Sequence, residues 1–163
     1  MCITGGEPLM SPDTVDLIRK IKALGYAVKL DTNGSYPARL RETVEAGLVD
    51  YVAVDIKNSP DKYARTAGCP APLVDKVKET VEYLKKGHVD YEFRTTVVSP
   101  LHDPSDFEEI GKWIQGAEKF YIQIFTDHEN VPDRSLSAPS RENVMKMLET
   151  VRKYVPGAEV RGM

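Results

Sequence analysis

Tyr51-Val52-Ala53-Val54-Asp55-Ile56 is an almost uninterrupted apolar run, rich in β-branched residues and too short for an ordinary helix. It has no polar alternation, so both of its faces need cover, which is the situation of a parallel strand lying between helices. Upstream, residues 37–46 read as a helix that opens on Pro37 and ends before Gly47. Further out, similar short runs recur at 2–4, 26–31, 90–98, 119–125 and 159–161. Six strands alternating with helical stretches are the pattern of βα units around a parallel sheet, and the expected class is α/β.

The helices between these strands are marked by their ends. Ser11 is expected to cap the first, with Pro12 at its first position, Leu17, Ile18, Ile21 and Leu24 on one face, and Gly25 as its stop. Another, over about 73–86, turns Val77, Val81 and Leu84 inward and has Gly87 after it. Asp103 and Pro104 open a helix with Phe107, Ile110 and Ile114 on one stripe, and Ser140 opens the last, burying Val144, Met147, Leu148 and Val151. Residues 58–72 and 126–139 read as long connections. Both follow the C-terminal ends of strands, the side on which parallel sheets bind ligands. The first strand is only three residues long, which reads as a strand cut short.

Composition narrows the classes. A chain of 163 residues with 41% hydrophobic content suits a single domain spanning 1–163. The net charge is −3 with both signs interspersed, which leaves no broad basic face for nucleic acid or an anionic membrane. No apolar run nears the roughly 20 residues of a membrane span, and no signal peptide is recognisable, so the expected location is the cytoplasm. Cys2 and Cys69 are too few for a disulfide framework or a four-thiolate metal set. Cys2 is expected to be a buried small residue and Cys69 to lie in a turn. His88 and His102 read as surface residues, and His128 as a neighbour of the pocket rim.

Three strand ends carry candidate chemistry. In Thr4-Gly5-Gly6-Glu7-Pro8, paired glycines allow the backbone to approach a ligand, and Glu7 could accept from an ammonium group; the same residues also suit a plain βα turn. In Asp31-Thr32-Asn33-Gly34, Asn-Gly makes a sharp turn at a strand end. In Asp55-Ile56-Lys57, strand alternation would put carboxylate and ammonium on one face, as a structural ion pair or as a ligand clamp. Together they form a rim fit for an amino-acid-like ligand, with Glu7 on its ammonium and Lys57 on its carboxylate. Asp31, Thr32 and Asp55 would offer hard oxygens to a small cation.

These motifs, in this order, resemble the radical S-adenosylmethionine (SAM) enzymes, and among them the activating enzymes of pyruvate formate-lyase and anaerobic ribonucleoside-triphosphate reductase. The resemblance matches the family's Gly-Gly-Glu-Pro element to Gly5, Gly6, Glu7 and Pro8, its Asp-Thr-Asn-Gly element to Asp31, Thr32, Asn33 and Gly34, and its Asp-x-Lys element to Asp55 and Lys57. It implies that the first element meets the methionyl amino group of SAM. It further implies a monovalent cation at Asp31, Thr32 and Asp55, and a SAM contact at Lys57. Arg94 and Gln123 sit in stretches similar to later core strands of these enzymes and are candidate pocket residues, with packing or exposure as the alternative. The implied fold is a partial (β/α) barrel of parallel strands with outer helices, lacking its first βα unit.

One departure is large. The family's Cys-x3-Cys-x2-Cys, which holds a 4Fe-4S cluster, does not occur in the sequence. The resemblance therefore implies the SAM-binding part of an activating enzyme, inactive in the radical step without that segment. Its partners would be a glycyl-radical enzyme and an electron donor such as flavodoxin or ferredoxin. Two other readings stay open: a noncatalytic SAM-binding or docking barrel that self-associates through its open sheet edge, and a Schiff-base aldolase using Lys57.

Overall fold

The chain divides into two units, Met1–Asp55 with Pro70–Glu92, and Ile56–Cys69 with the residues from Phe93 onward. The computed structural model describes residues 1–127, 129, 131 and 133–162, so His128 lies outside the described residues. The strands are β1 (Cys2–Ile3), β2 (Lys29–Thr32), β3 (Tyr51–Asp55), β4 (Asp90–Val97), β5 (Phe120–Ile124) and β6 (Glu159–Arg161). The helices are α1 (Asp13–Ala23), α2 (Pro37–Glu45), α3 (Pro60–Ala67), α4 (Pro72–Leu84), α5 (Asp106–Trp113) and α6 (Arg141–Arg152). All six strands expected from the sequence are present, and the α/β class is found as expected.

In the first unit β1, β2 and β3 pair in that order, all parallel, with Cys2 opposite Lys29, Leu30 opposite Val52 and Asp31 opposite Ala53. Leu30, Val52 and Val54 are wholly buried, together with Ile18 of α1 and Val81 and Leu84 of α4. Alternation along β2 sends Leu30 and Thr32 to this covered side and leaves Lys29 and Asp31 on the other. α1 buries less than its sequence pattern suggests. Ile18 and Ile21 are inside, but Leu17 and Leu24 are 50% and 75% exposed, because the stripe that meets the sheet is narrower than the apolar run. Ser11 lies one residue too early to be the N-cap, a place taken by Pro12; its hydroxyl accepts from the Asp13 amide at 3.3 Å.

In the second unit β4, β5 and β6 are parallel neighbours, with Phe93 opposite Phe120 and Gln123 opposite Arg161. Phe93, Phe107, Phe120, Ile122, Val144, Met147 and Val151 have no exposure and form the core, where the rings of Phe107 and Phe120 meet edge to face at 6.4 Å. Ser140 caps α6 as expected, accepting from the Asn143 amide at 3.2 Å. The expected loop over 58–72 is instead interrupted by α3. Pro60 starts that helix, Gly68 ends it in the left-handed conformation, and buried Tyr63 packs edge-on to Trp113 with 5.8 Å between ring centroids. The helix is eight residues long and Tyr63 is its one buried residue. Among the described residues no helix is long and apolar enough to cross a membrane.

Candidate functional site

The site of the first unit is built on a turn that only glycine adopts without strain. Gly5 and Gly6 follow β1 with φ of 98° and 44°, and a Cβ on either would meet nothing within 4 Å, so the backbone stands open to a ligand there. Pro8–Met10 then forms one turn of 3-10 helix, for which Glu7 is the N-cap. The Glu7 carboxylate accepts from the Leu9 amide at 3.0 Å, from the Thr32 hydroxyl at 2.9 and 3.0 Å, and from the Asn33 amide at 2.7 Å. This carboxylate is a clip that fastens the double-glycine turn to the end of β2. Two more groups brace the turn from behind: the Thr14 hydroxyl donates to the Pro8 carbonyl at 2.6 Å, and the Arg39 guanidinium to the Leu9 and Met10 carbonyls at 2.6 and 2.9 Å.

The β2 end is equally committed. Thr32 is 3% exposed and its hydroxyl also accepts from the Gly34 amide at 3.1 Å, while the Asn33 side chain accepts from the Ser35 amide at 2.9 Å. Gly34 has φ of 77°, and a Cβ there would lie 3.2 Å from Val54 Cγ1; its carbonyl takes the Thr80 hydroxyl of α4 at 2.7 Å. On the opposite face of β2, Lys29 Nζ lies 3.0 Å from Asp31 Oδ1 and 3.8 Å from Glu92 Oε1, and the Tyr51 hydroxyl donates to Glu92 Oε2 at 3.1 Å. Glu7, Thr32 and Asn33 are thus brought together, and Asp31 is brought to Lys29. Sequence reasoning missed Lys29 and Glu92, although Lys29 precedes Asp31 by two residues and strand alternation alone places it on the same face.

β3 ends at Asp55 in the first unit, and Lys57 belongs to the second. In the second unit the Lys57 carbonyl accepts from His102 Nε2 at 2.8 Å, and the Val98 amide donates to His102 Nδ1 at 3.1 Å. A carbonyl can only accept, so Nε2 carries the proton. His102 is 5% exposed, which corrects the expectation of a surface residue: the ring ties two backbone segments together. Asn58, with no exposure, donates to the Thr66 hydroxyl at 2.9 Å and the Leu101 carbonyl at 3.0 Å. Arg94 and Gln123 are both half-buried, and Gln123 Oε1 lies 3.5 Å from the Thr96 hydroxyl. His88 is exposed as expected, and its ring stacks on Tyr83 at 4.8 Å.

Neither metal set fits these residues. Cys2 is exposed rather than buried, because β1 is two residues long and packing covers little of it; Cys69 belongs to the other unit. Two thiols cannot supply the three ligands of a 4Fe-4S cluster. Among the described residues no group of three or more His, Cys, Asp and Glu could hold a metal ion. For Asp31, Thr32 and Asp55 in particular, Asp31 already faces an ammonium, and Thr32 is turned to the opposite face of β2.

A profile of the radical SAM superfamily matches residues 1–114. A Methanocaldococcus jannaschii protein that carries the name glycyl-radical enzyme activating enzyme is 31% identical across 98% of this chain and 69% of its own length. A second protein of the same organism and name is 24% identical across 94% of this chain and 59% of its own length. In three dimensions the chain is similar to the crystal structure of a domain of pyruvate-formate lyase-activating enzyme from Bacteroides vulgatus, with a TM-score of 0.79, 15% identity, and coverage of 99% of this chain and 98% of that one. That likeness shows an α/β fold of the radical SAM barrel type. The chain belongs to the radical SAM superfamily, among its glycyl-radical enzyme activating enzymes.

Proposed function

We propose that this chain holds SAM, and that it is the SAM-positioning part of an enzyme that activates a glycyl-radical enzyme partner. The observation that carries the reading is the Glu7 clip: the Thr32 hydroxyl and the Asn33 amide, both donating to the Glu7 carboxylate, hold an open, positive-φ double glycine against the end of β2. In this arrangement the backbone carbonyls of Gly5 and Gly6 receive the methionyl ammonium, and Glu7 and Pro8 fix the turn that presents them. Asn33 and Asp55 sit at the ends of the neighbouring strands β2 and β3 of the first unit and are proposed as its further contacts to SAM. Lys57, Arg94 and Gln123 are proposed as ligand contacts in their own right, each read by its own alanine variant. In the superfamily, SAM bound to a reduced cluster supplies a hydrogen-abstracting radical. The work of this chain's own residues is to bind and orient SAM, because two thiols in separate units do not fit such a cluster.

Isothermal titration of the chain with SAM tests the proposal, with 5′-deoxyadenosine as the control that lacks the methionyl group. Saturable binding of SAM, weaker binding of the control, and loss of the difference in Gly6→Val support it. An absence of saturable SAM binding, or equal affinity for both ligands, removes it.

A further inference from the structure

Resting on the reading of the β2 end as part of a SAM site, we infer that the Lys29 ammonium stands in for the monovalent cation that the resemblance expects at Asp31, so that this chain needs no alkali ion there. Lys29 and Asp31 are two residues apart on one strand and share a face, and their charged atoms are 3.0 Å apart. The same ammonium lies 3.8 Å from Glu92 and 6.0 Å above the ring of Tyr51, and the Tyr51 hydroxyl secures the other oxygen of Glu92 at 3.1 Å. The side chains of Lys29, Asp31 and Glu92 are 34%, 14% and 4% exposed, so the acids lie mostly out of water and feel the charge more than a surface pair would. An ammonium and a potassium ion are close in radius and in charge. A covalently tethered cation at this position leaves no room for a diffusible one, and Thr32, the neighbour that the resemblance expects at the same ion, is turned to the opposite face of β2.

The decisive measurement is thallium(I) NMR of the full chain, with thallium as the potassium analogue and choline as the inert cation, in the absence and in the presence of excess SAM. The wild type is expected to show no saturable thallium site in either state, and its SAM affinity should be unchanged when potassium replaces choline. Lys29→Met should acquire a saturable thallium site that the further change Asp31→Asn removes, and its SAM affinity should rise roughly tenfold on going from choline to potassium. Saturable thallium binding by the wild type that Asp31→Asn abolishes overturns the inference, as does a Lys29→Met chain as indifferent to thallium as the wild type. Lys29→Gln, which keeps a donor in the same place, serves if the methionine variant does not fold. The thallium signal without SAM is independent of SAM binding, so failure of the SAM reading and failure of this inference give different results.

Discussion

Both carboxylate oxygens of Glu7 accept from the hydroxyl of Thr32, at 2.9 and 3.0 Å, so an acid twenty-five residues earlier in the chain is bound to the end of β2. Glu7→Gln keeps the size of the side chain but replaces one acceptor by a donor. It is expected to lower stability by about 1–3 kcal/mol, the range for loss of a charge-assisted hydrogen bond with a partner left unpaired. Urea denaturation measures the loss. If Glu7 is a clip, the variant should also weaken SAM binding, and an unchanged SAM affinity would reduce Glu7 to a purely structural cap.

Gly34 and Gly5 both have positive φ but differ in their surroundings, which separates two costs of adding a methyl group. Gly34→Ala should be destabilising by about 1–3 kcal/mol, because its Cβ would press on Val54 and Thr80 as well as adopt a strained backbone. Gly5→Ala meets nothing within 4 Å and should cost about 1 kcal/mol from conformation alone. Equal losses for the two in the same denaturation series would show that the packing around Gly34 does not matter.

His102 is the ring on which the Lys57 carbonyl and the Val98 amide depend. His102→Phe keeps most of the volume and leaves both backbone groups without their partner, for an expected loss of about 2 kcal/mol. His102→Gln, able to donate and accept, should recover part of it. No recovery by glutamine would mean that the ring's shape rather than its hydrogen bonds is what the site requires.

Asp50 lies just before β3, where its carboxylate takes the Lys22 ammonium at 2.8 Å and the Val28 amide at 2.6 Å. The Lys22 contact, and after it the Val28 amide, lower its pKa below the ordinary 3.8. A depressed folded-state pKa gives a contribution that is present above 3.8 and lost as pH falls through the folded value. Asp50→Asn should therefore be less stable than the wild type at neutral pH, with the gap closing below pH 3.8; denaturation curves at several pH values check this. A gap that persists undiminished in acid would assign the loss to something other than the carboxylate's charge.

The sequence made the strands legible because their β-branched runs are short and bounded, made α2 legible by Pro37 and Gly47 at its ends, and made α4, α5 and α6 legible because their apolar residues recur at helical spacing. It also showed Gly5, Gly6, Asn33 and Gly34 as turn formers, since positive φ and tight turns leave a compositional mark. What it could not show are partners distant in the chain. That Glu7 reaches Thr32, that Lys29 and Tyr51 converge on Glu92, and that His102 reaches Lys57 depend on register and loop path, which no local pattern encodes. The exposure of Cys2, Leu17 and Leu24 was illegible for a related reason, because an apolar residue announces a preference for burial but not whether anything lies over it.

The anchoring around α3 bears on where this chain can be engineered. Its N-terminal approach is held by His102 on Lys57 and by Asn58 on Leu101, and its body by Lys62, whose ammonium lies 2.7 Å from the nearly buried Asp106. Beyond that grip, Ala67 and Gly68 are exposed at the far end of the helix. A tag or tether spliced in after Ala67 would hang from a clamped stem and leave the clamp intact, whereas the same insertion beside Asn58 would cut it.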